Sequence, residues 1–241
     1  MDHALSLAST DPARLQALDV ATSRALDRAA FEELGLPTLV LMEHAAHGAA
    51  RVLTENLQPR RSNAGSADVL ILCGAGNNGG DGLALCRLLA PRAKAVVTAR
   101  PDPQRSPDAA LQLEVLERAG IAVEVGVDSA RLEALADGCS WIVDALLGTG
   151  LEAAPRGLCA TWITWLAGRK ERVLALDLPS GLDADSGRAF DPCVRASMTV
   201  SFARPKLGHF RGDGPARCGE LRVVTIGLPE PWVEERTQPS R

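Results

Sequence analysis

"DVLILCGAGNNGGDGLALCRLLAPR", residues 68–92, joins a short apolar run, a glycine-rich turn and a segment with helical character. The run 68–73 is hydrophobic almost without interruption, which is typical of a strand buried on both faces of a sheet. Glycine allows a sharp turn and a close approach of the backbone to a ligand, and the first N–H groups of a following helix favour an anion. The stretch therefore predicts a strand, a ligand-binding turn and a helix.

Strand and helix patterns continue to alternate after this unit, up to about residue 228. Such alternation predicts an α/β fold with a mostly parallel sheet and helices on both faces. Two segments with helical spacing within about 12–55, the first from about residue 14, predict an N-terminal helical arm. We predict a single domain over residues 1–241, with an α/β core at about 66–228 and a loosely held tail at 229–241.

Composition excludes several classes of function. Hydrophobic residues make up 46% of the 241 residues, which is enough for a full core, whereas aromatic residues make up 3% and Tyr is absent. This disfavours binding of single-stranded nucleic acid by base stacking. The net charge of −4, without a basic patch, disfavours nucleic acid and anionic membranes. Six cysteines without a C-x-x-C pair, and the lack of a membrane-length apolar run, predict buried free thiols in a soluble, cytoplasmic protein.

The glycine turn also contains the dinucleotide fingerprint G-x-G-x-x-G, at Gly74, Gly76 and Gly79. The NAD form of this motif expects an acidic residue about 20 positions later, at the end of the second strand. Here that strand runs into Arg100, which suits an NADP phosphate instead. Asp81 adds a negative charge to the turn, so it either caps the helix or meets a hydroxyl or amide group of the ligand. A nicotinamide-dependent oxidoreductase therefore stays open as an alternative.

Two further predicted strands end in an aspartate, Asp144 in "WIVDALLGTG" and Asp177 in "VLALDLPSG". Ligands of parallel sheets bind at the carboxyl ends of the strands, so these acids and Asp81 are expected on one rim. Oxygen atoms of Asn78, Asp144 and Ser180 suit a hard cation, and the spacing alone does not separate Mg²⁺, K⁺ and water. Lys206 follows a later strand end and is expected to balance the acids or to contact a phosphate. His209 shows no marked partner in the sequence and receives no role.

Taken together, five segments resemble the NAD(P)H-hydrate epimerase family over roughly residues 20–228. They are "GAGNNGGDGLALCRLL", "DALLGTGL", "LALDLPSGLDADSG", the arm segment "RALDRAAFEELGLPTLVLMEHA" and the late lysine segment "TVSFARPKLG". The resemblance implies a Rossmann-like three-layer α/β/α sandwich, often a homodimer, that interconverts the R and S forms of hydrated NADH and NADPH. The family usually has Pro where Ala75 stands and Gly where Ala46 stands, and neither change removes a polar site group.

The resemblance also implies a set of site residues. A potassium ion would be held by Asn78, Asp144 and Ser180. The substrate would be contacted by Asn77, Asn78, Gly79, Gly80, Asp81, Gly148, Thr149, Gly150, Leu151, Glu152, Ala153, Ala154, Asp177 and Lys206. In many bacteria this domain is fused to a dehydratase that destroys the S form. The chain ends soon after "VVTIGLPEP", so the dehydratase is expected to come from another chain.

The chemistry expected of such a site is simple. Carbon 6 of the hydrated nicotinamide bears both a hydroxyl group and the ring nitrogen, so it inverts by loss and return of the hydroxyl or by ring opening and reclosure. Either route needs one acid–base group, for which Asp177 is the candidate. A non-catalytic nucleotide-binding or protein-interaction module on the same fold is the main alternative.

Overall fold

The computed structural model describes residues 5–6, 16–57, 67–169 and 171–237. Within these ranges the strands are β1 Leu5–Ser6, β2 Val69–Cys73, β3 Ala93–Val97, β4 Val123–Val125, β5 Trp141–Ala145, β6 Arg172–Leu176, β7 Met198–Phe202 and β8 Glu220–Val224. The α-helices are α1 Val20–Leu34, α2 Thr38–Asn56, α3 Asn77–Leu89, α4 Pro107–Arg118, α5 Ser129–Ala136, α6 Gly157–Ala167, α7 Gly214–Arg217 and α8 Glu230–Thr237. A short 3₁₀-helix covers Leu207–His209.

The strands form one sheet in the order β1-β8-β7-β6-β5-β2-β3-β4. Strands β2 to β8 pair in parallel, and β1 joins the edge antiparallel to β8, with Leu5 opposite Val223. From β2 the chain first moves outward to β3 and β4, and then returns to β5 on the other side of β2. This reversal between β2 and β5 is the switch point at which parallel α/β sheets bind their ligands.

Helices cover both faces of the sheet, as the alternating pattern predicted. Side chains of α2, α3 and α4 share one core cluster with β2, β3 and β7. Side chains of α5 and α6, including the fully buried Trp162, form a second cluster on the opposite face. All five residues of β2 are buried, which matches its continuous hydrophobic run. The α/β fold, its Rossmann-like three-layer architecture and its mostly parallel sheet are therefore confirmed.

The first helix begins later than its periodicity predicted. Residues 12–15 lie outside the described ranges, and α1 starts at Val20, where Asp19 accepts a hydrogen bond from the Thr22 N–H at 2.7 Å. Ahead of this cap the chain is extended, because the Leu18 N–H donates to the Pro205 carbonyl at 2.8 Å. A local cap and a contact with the loop after β7 thus end the helix at its N-terminal side.

The prediction of a loosely held tail is wrong for residues 230–237. This segment forms α8, whose Val233 is 2% exposed and joins a core cluster with Leu26 of α1 and Leu41 of α2. Residues 238–241, and residues 58–66 of the predicted polar link, lie outside the described ranges. No helix among the described residues is long and apolar enough to cross a membrane. All six cysteines are free thiols, and Cys159 alone among them is not fully buried.

Candidate functional site

A cavity of about 680 Å³ opens at the switch point of the sheet. Its walls come from the turn after β2, the loop after β5, the ends of β6 and β7, and the helical arm. The arm contributes Arg24, Asp27 and Met42, among others. The cavity therefore joins the two strands between which the chain reverses direction, as expected for a ligand site in this type of sheet.

The glycine turn is shorter than the sequence suggested, because α3 already begins at Asn77, with Gly76 as its N-cap. A β-carbon at Gly79 would collide with the Gly74 carbonyl, and one at Gly80 would lie 2.6 Å from the Met42 Cε atom. These two glycines allow close packing and are absent from the cavity wall, whereas Asn77, on the first turn of α3, lines it.

Asp81 also lines the cavity, from the second turn of α3. The interpretation of Asp81 as a helix cap is wrong, since the helix starts four residues earlier. Its side chain is 9% exposed, and burial raises the pKa of Asp81 well above its usual range. The neighbouring carboxylates Asp177 and Asp27 raise this pKa further, and Lys206 opposes them. Asp81 is therefore suited to carry a proton and to donate a hydrogen bond to a ligand.

Asp144 and Ser180 meet beneath the cavity. The Ser180 hydroxyl donates to the Asp144 Oδ1 atom at 2.6 Å, and the Ser180 N–H donates to Oδ2 at 2.8 Å. Asp144 is fully buried, and this burial raises its pKa to about 6, although the hydrogen bonds from Ser180 and Leu146 oppose the shift. A buried carboxylate without a cationic partner favours the arrival of a cation.

The Leu147 carbonyl connects Asn78 to this pair. It accepts a hydrogen bond from the Asn78 Nδ2 atom at 3.1 Å and lies 3.2 Å from the Ser180 hydroxyl oxygen, which also accepts a hydrogen bond from the Leu147 N–H at 2.9 Å. The Asn78 Oδ1 atom is buried and has no hydrogen-bond partner among the described residues. An amide oxygen, a carbonyl, a hydroxyl and a carboxylate are all oxygen donors, so the residues present fit a hard cation, and the orphaned Oδ1 atom is the observation that favours one. Sequence reasoning missed Leu147, because a main-chain carbonyl leaves no signal in residue type.

Asp177 follows β6 with a left-handed backbone, at a φ of 63°. Its N–H donates to the Val200 carbonyl of β7 at 2.8 Å, and its Oδ1 atom accepts a hydrogen bond from the Lys206 Nζ atom at 2.5 Å. Lys206 is 3% exposed, and its Nζ atom also faces the carbonyls of Phe202 and Arg204 at 3.1 and 3.2 Å. Of the two roles expected for Lys206, its surroundings match charge balance for the acids.

His209 was given no role from the sequence, yet it is buried and holds two main-chain partners. Its Nδ1 atom lies 2.9 Å from the Lys206 N–H, and its Nε2 atom lies 2.9 Å from the Asp177 carbonyl. Burial, and then the charge of Lys206, lower the pKa of His209 to about 4. Because both partners are backbone groups, no pattern of polar residues announces them in the sequence.

The loop after β5 closes the site over Asn78 and Asp177. A β-carbon built on Gly148 would lie 3.4 Å from the Asn78 Cβ atom and 3.7 Å from the Asp177 Oδ2 atom. Residues 148–152 line the cavity, whereas Ala153 and Ala154 do not. Arg100, considered for an NADP phosphate, lies away from the cavity wall and pairs with Glu117.

The fold and the site together define a class: a Rossmann-like α/β/α domain with a cavity for a small polar ligand at its switch point. The crystal structure of the yeast protein ynu0 (YNL200c) has the same fold, with a TM-score of 0.77 and 19% sequence identity over 91% of this chain and 93% of that one. The family model "YjeF-related protein N-terminus" matches residues 38–208. The chain belongs to this family.

Relatives with curated names agree with this membership. "NAD(P)H-hydrate epimerase" of Rhodopirellula baltica is 38% identical over 86% of this chain and 82% of its own length. "Bifunctional NAD(P)H-hydrate repair enzyme Nnr" of Moorella thermoacetica is also 38% identical over 86% of this chain. The chain spans only 40% of the length of that bifunctional relative. The relatives thus include the domain both by itself and as part of a longer protein.

Proposed function

We propose that this protein is an NAD(P)H-hydrate epimerase, which interconverts the R and S forms of hydrated NADH and NADPH. The observation that carries the proposal is the convergence of Asn78, Gly148 and Asp177 on one cavity, within a few ångströms of each other. These are the tips of three separate strand–loop units, and the same motifs carry the resemblance to the epimerase family. Three relatives match this chain over most of their own length, at 35 to 38% identity, and each of them is named NAD(P)H-hydrate epimerase.

The cavity suits a dinucleotide in size and polarity. Ligand cavities of a few hundred to about 1,000 Å³ hold molecules of drug size and above, and this one measures about 680 Å³. We propose that the first turn of α3, with Asn77 in the cavity wall, receives a phosphate or ribose group, because the free N–H groups of a helix N-terminus attract anions. Residues 148–152 and Asp81, which line the cavity, complete the contacts to the substrate.

We propose Asp177 as the acid–base group. Its Oδ1 atom is held by Lys206, so the Oδ2 atom, which faces Gly148, is the oxygen left for the substrate. On the dehydration route, a proton moves to the departing hydroxyl, the bond between carbon 6 and oxygen breaks, and the ring nitrogen supplies the electron pair. Water then returns on the opposite face and gives the proton back. On the ring-opening route the hydroxyl group gives up its proton, the bond between carbon 6 and the ring nitrogen breaks to leave an aldehyde, and the nitrogen takes up a proton. Reclosure on the other face of the aldehyde reverses these steps, and neither route needs a redox partner.

We propose a potassium ion as the cofactor, held by Asn78, Asp144 and Ser180, with the Leu147 carbonyl as a further oxygen donor. Bound there, the ion would supply positive charge beneath the substrate cavity. Asp144 would act as its anionic ligand. Asn78, at the start of α3, and Ser180, after β6, would be held in place by their bonds to the ion. The buried, unpartnered Asn78 Oδ1 atom supports this assignment.

The test uses separated R and S epimers of NADPH hydrate in potassium buffer. We expect the wild-type protein to accelerate their equilibration and Asp177→Asn to lower kcat by about 100-fold or more, the typical contribution of an acid–base group. Asp137→Asn, an exposed acid outside the cavity, is the matched control and should leave the rate unchanged. A wild-type protein that leaves equilibration at the spontaneous rate rules out the proposed function.

We further propose that an NAD(P)H-hydrate dehydratase is the functional partner, as the family resemblance implies; two relatives named as bifunctional NAD(P)H-hydrate repair enzymes support a second activity beside this domain. A cytoplasmic location is supported by the six free thiols, which suit a reducing compartment. The homodimer implied by the family resemblance, and the single domain over residues 1–241, stay predictions.

A further inference from the structure

We propose that His209 is a positioning residue, which locks the backbone of Asp177 and the backbone of Lys206 into one unit and so aims the acid–base carboxylate at the substrate. The inference rests on the proposed role of Asp177 and extends it to a residue outside the cavity wall. His209 is 3% exposed and does not line the cavity, so it acts through its neighbours and not on the substrate itself.

The polarity of its two hydrogen bonds defines the state of the imidazole. A backbone N–H can only donate, so Nδ1 must accept from Lys206 at 2.9 Å. A backbone carbonyl can only accept, so Nε2 must carry the hydrogen that is donated to Asp177 at 2.9 Å. The side chain is therefore the neutral tautomer with the proton on Nε2. A protonated ring would lose the first bond, because its Nδ1 atom would no longer accept.

The backbone of Asp177 needs such support. Residues other than glycine seldom adopt a positive φ, and Asp177 holds 63° at the point where its carboxylate enters the cavity. Its N–H is tied to Val200 of the neighbouring strand, and its carbonyl is tied to His209. The two ties fix the peptide planes on both sides of the Cα atom, and thereby the direction of the side chain.

Lys206, His209 and Asp177 contact one another in a closed loop of three hydrogen bonds. The His209 ring joins the Asp177 carbonyl to the Lys206 N–H, and the Lys206 ammonium returns to the Asp177 carboxylate at 2.5 Å. The two residues lie 29 positions apart in the sequence and on different strand ends. Without the imidazole, Asp177 and Lys206 would keep their ion pair as a direct contact, and that contact is made through side chains that can rotate.

Two polar substitutions separate the two bonds. In His209→Asn the amide oxygen can take the place of Nδ1 and keep the bond to Lys206, but the side chain is too short to reach Asp177. In His209→Gln the amide nitrogen can take the place of Nε2 and keep the bond to Asp177. We expect His209→Asn to lower kcat by at least about tenfold with KM changed by less than about threefold, and His209→Gln to stay within about threefold of wild type, since only the bond to Asp177 positions the carboxylate.

Double variants separate positioning from general loss of structure. In an Asp177→Asn background, His209→Asn should cause no further loss of kcat, because the group that it positions is gone. Thr199→Val serves as the control: it removes another buried bond, from the Thr199 hydroxyl to the Cys218 carbonyl at 2.7 Å. This control should lower the Tm and leave kcat unchanged. An equal loss of kcat from His209→Asn in both backgrounds, or equal losses in the Asn and Gln variants, overturns the proposal.

A crystal structure of His209→Asn decides the geometry without any activity measurement. We expect the φ of Asp177 to leave the left-handed region, or its carboxylate to part from Lys206. An unchanged φ and an unchanged ion pair refute the role of His209 even if the wild-type enzyme is active. Conversely, an inactive wild-type protein refutes the proposed function and leaves the structural result on His209 to stand by itself.

Discussion

Lowering the pH from 7 to 5 should cost the wild-type protein about 2 kcal/mol of unfolding free energy relative to His209→Gln. The cause is the buried imidazole. Burial and the nearby Lys206 lower the pKa of His209 from 6.5 to about 4 in the folded state. Between these two pKa values, the imidazole of the unfolded chain therefore binds a proton, whereas the imidazole of the folded protein stays neutral. The stabilisation is complete above the unfolded pKa of 6.5, and it is lost progressively as the pH falls toward the folded value.

The magnitude follows from the two pKa values. Between them, each pH unit below 6.5 changes the free energy of unfolding by about 1.4 kcal/mol. At pH 5 the distance is 1.5 units, which gives about 2 kcal/mol, and at pH 7 the effect is only a few tenths of a kcal/mol. Glutamine does not titrate in this range. The quantity of interest is therefore how the difference between wild type and variant changes with pH.

Urea unfolding at pH 7 and pH 5, in the same potassium concentration, measures this difference. The comparison is needed because burial raises the pKa of Asp144 to about 6, and this group changes stability in the opposite direction over the same range. Asp144 is present in both proteins, so its effect cancels. If the gap between wild type and His209→Gln stays constant within about 0.5 kcal/mol from pH 7 to pH 5, the neutral buried imidazole is refuted.

Three further perturbations test the substrate space, the cation site and the packing of α3. Gly148→Ala should lower kcat/KM by at least about tenfold with little change in Tm, because the new methyl group would lie 3.4 Å from the Asn78 Cβ atom, inside the substrate space; wild-type kinetics would show that this space is unused. Potassium at ten times its Kd should raise the unfolding free energy of the wild-type protein by about 1.4 kcal/mol relative to the same concentration of N-methylglucamine. Ser180→Ala should weaken this stabilisation, and thermal melts in the two salts measure it. Gly79→Ala should destabilise by about 3 kcal/mol or more through collision with a backbone carbonyl, whereas Gly76→Ala, whose β-carbon would meet nothing within 4 Å, should stay within about 1 kcal/mol in urea titrations; similar losses in both variants would contradict the packing argument.

The sheet could be predicted from the sequence because its central strands, such as β2 and β5, are buried on both faces and appear as nearly continuous apolar runs. The start of α1 could not, because the extended backbone before it depends on a hydrogen bond between Leu18 and Pro205, which are far apart in the chain. The prediction for the tail is wrong for a similar reason: Val233 becomes buried, and Trp232 partly buried, only when α8 packs against the arm. Hydrophobic periodicity describes a single helix or strand, whereas the start of α1 and the burial of α8 each depend on contact with another part of the chain.

The candidate site divides in the same way. Asn78, Asp144 and Ser180 could be placed together, because the carboxyl ends of neighbouring parallel strands share one rim. Asp27 could not be found, because the packing of α1 against the core, and not its own segment, brings it to the cavity. His209 could not be found either, since its partners are the main-chain groups of two loops. Side chains at strand ends are thus predictable, whereas those that act through the backbone are not.

The lining of the cavity is rich in acids, although the ligand that we propose for it is itself an anion. The cavity that we propose for an anionic dinucleotide is lined by five carboxyl groups and three cationic side chains. The acids are Asp27, Asp81, Asp108, Glu152 and Asp177, and the cations are Arg24, Arg105 and Lys206, of which Lys206 pairs with Asp177. Desolvation by burial, together with neighbouring carboxylates, raises the pKa values of Asp27 and Asp81, so these two groups take up a proton more readily than exposed acids do.

A further carboxyl group is Asp144, whose charged form is disfavoured by burial and which lies beneath the cavity beside the Asn78 Oδ1 atom, which has no hydrogen-bond partner among the described residues. The cation that we propose at this position would offset its charge, and the first turn of α3 adds the positive end of a helix dipole above it. The arrangement can therefore accept an anion while it keeps Asp177 as a proton-transfer group. On this reasoning the cation site, the raised pKa values and the Lys206 pair are three parts of one charge balance, and the removal of any one should weaken substrate binding before it affects the fold.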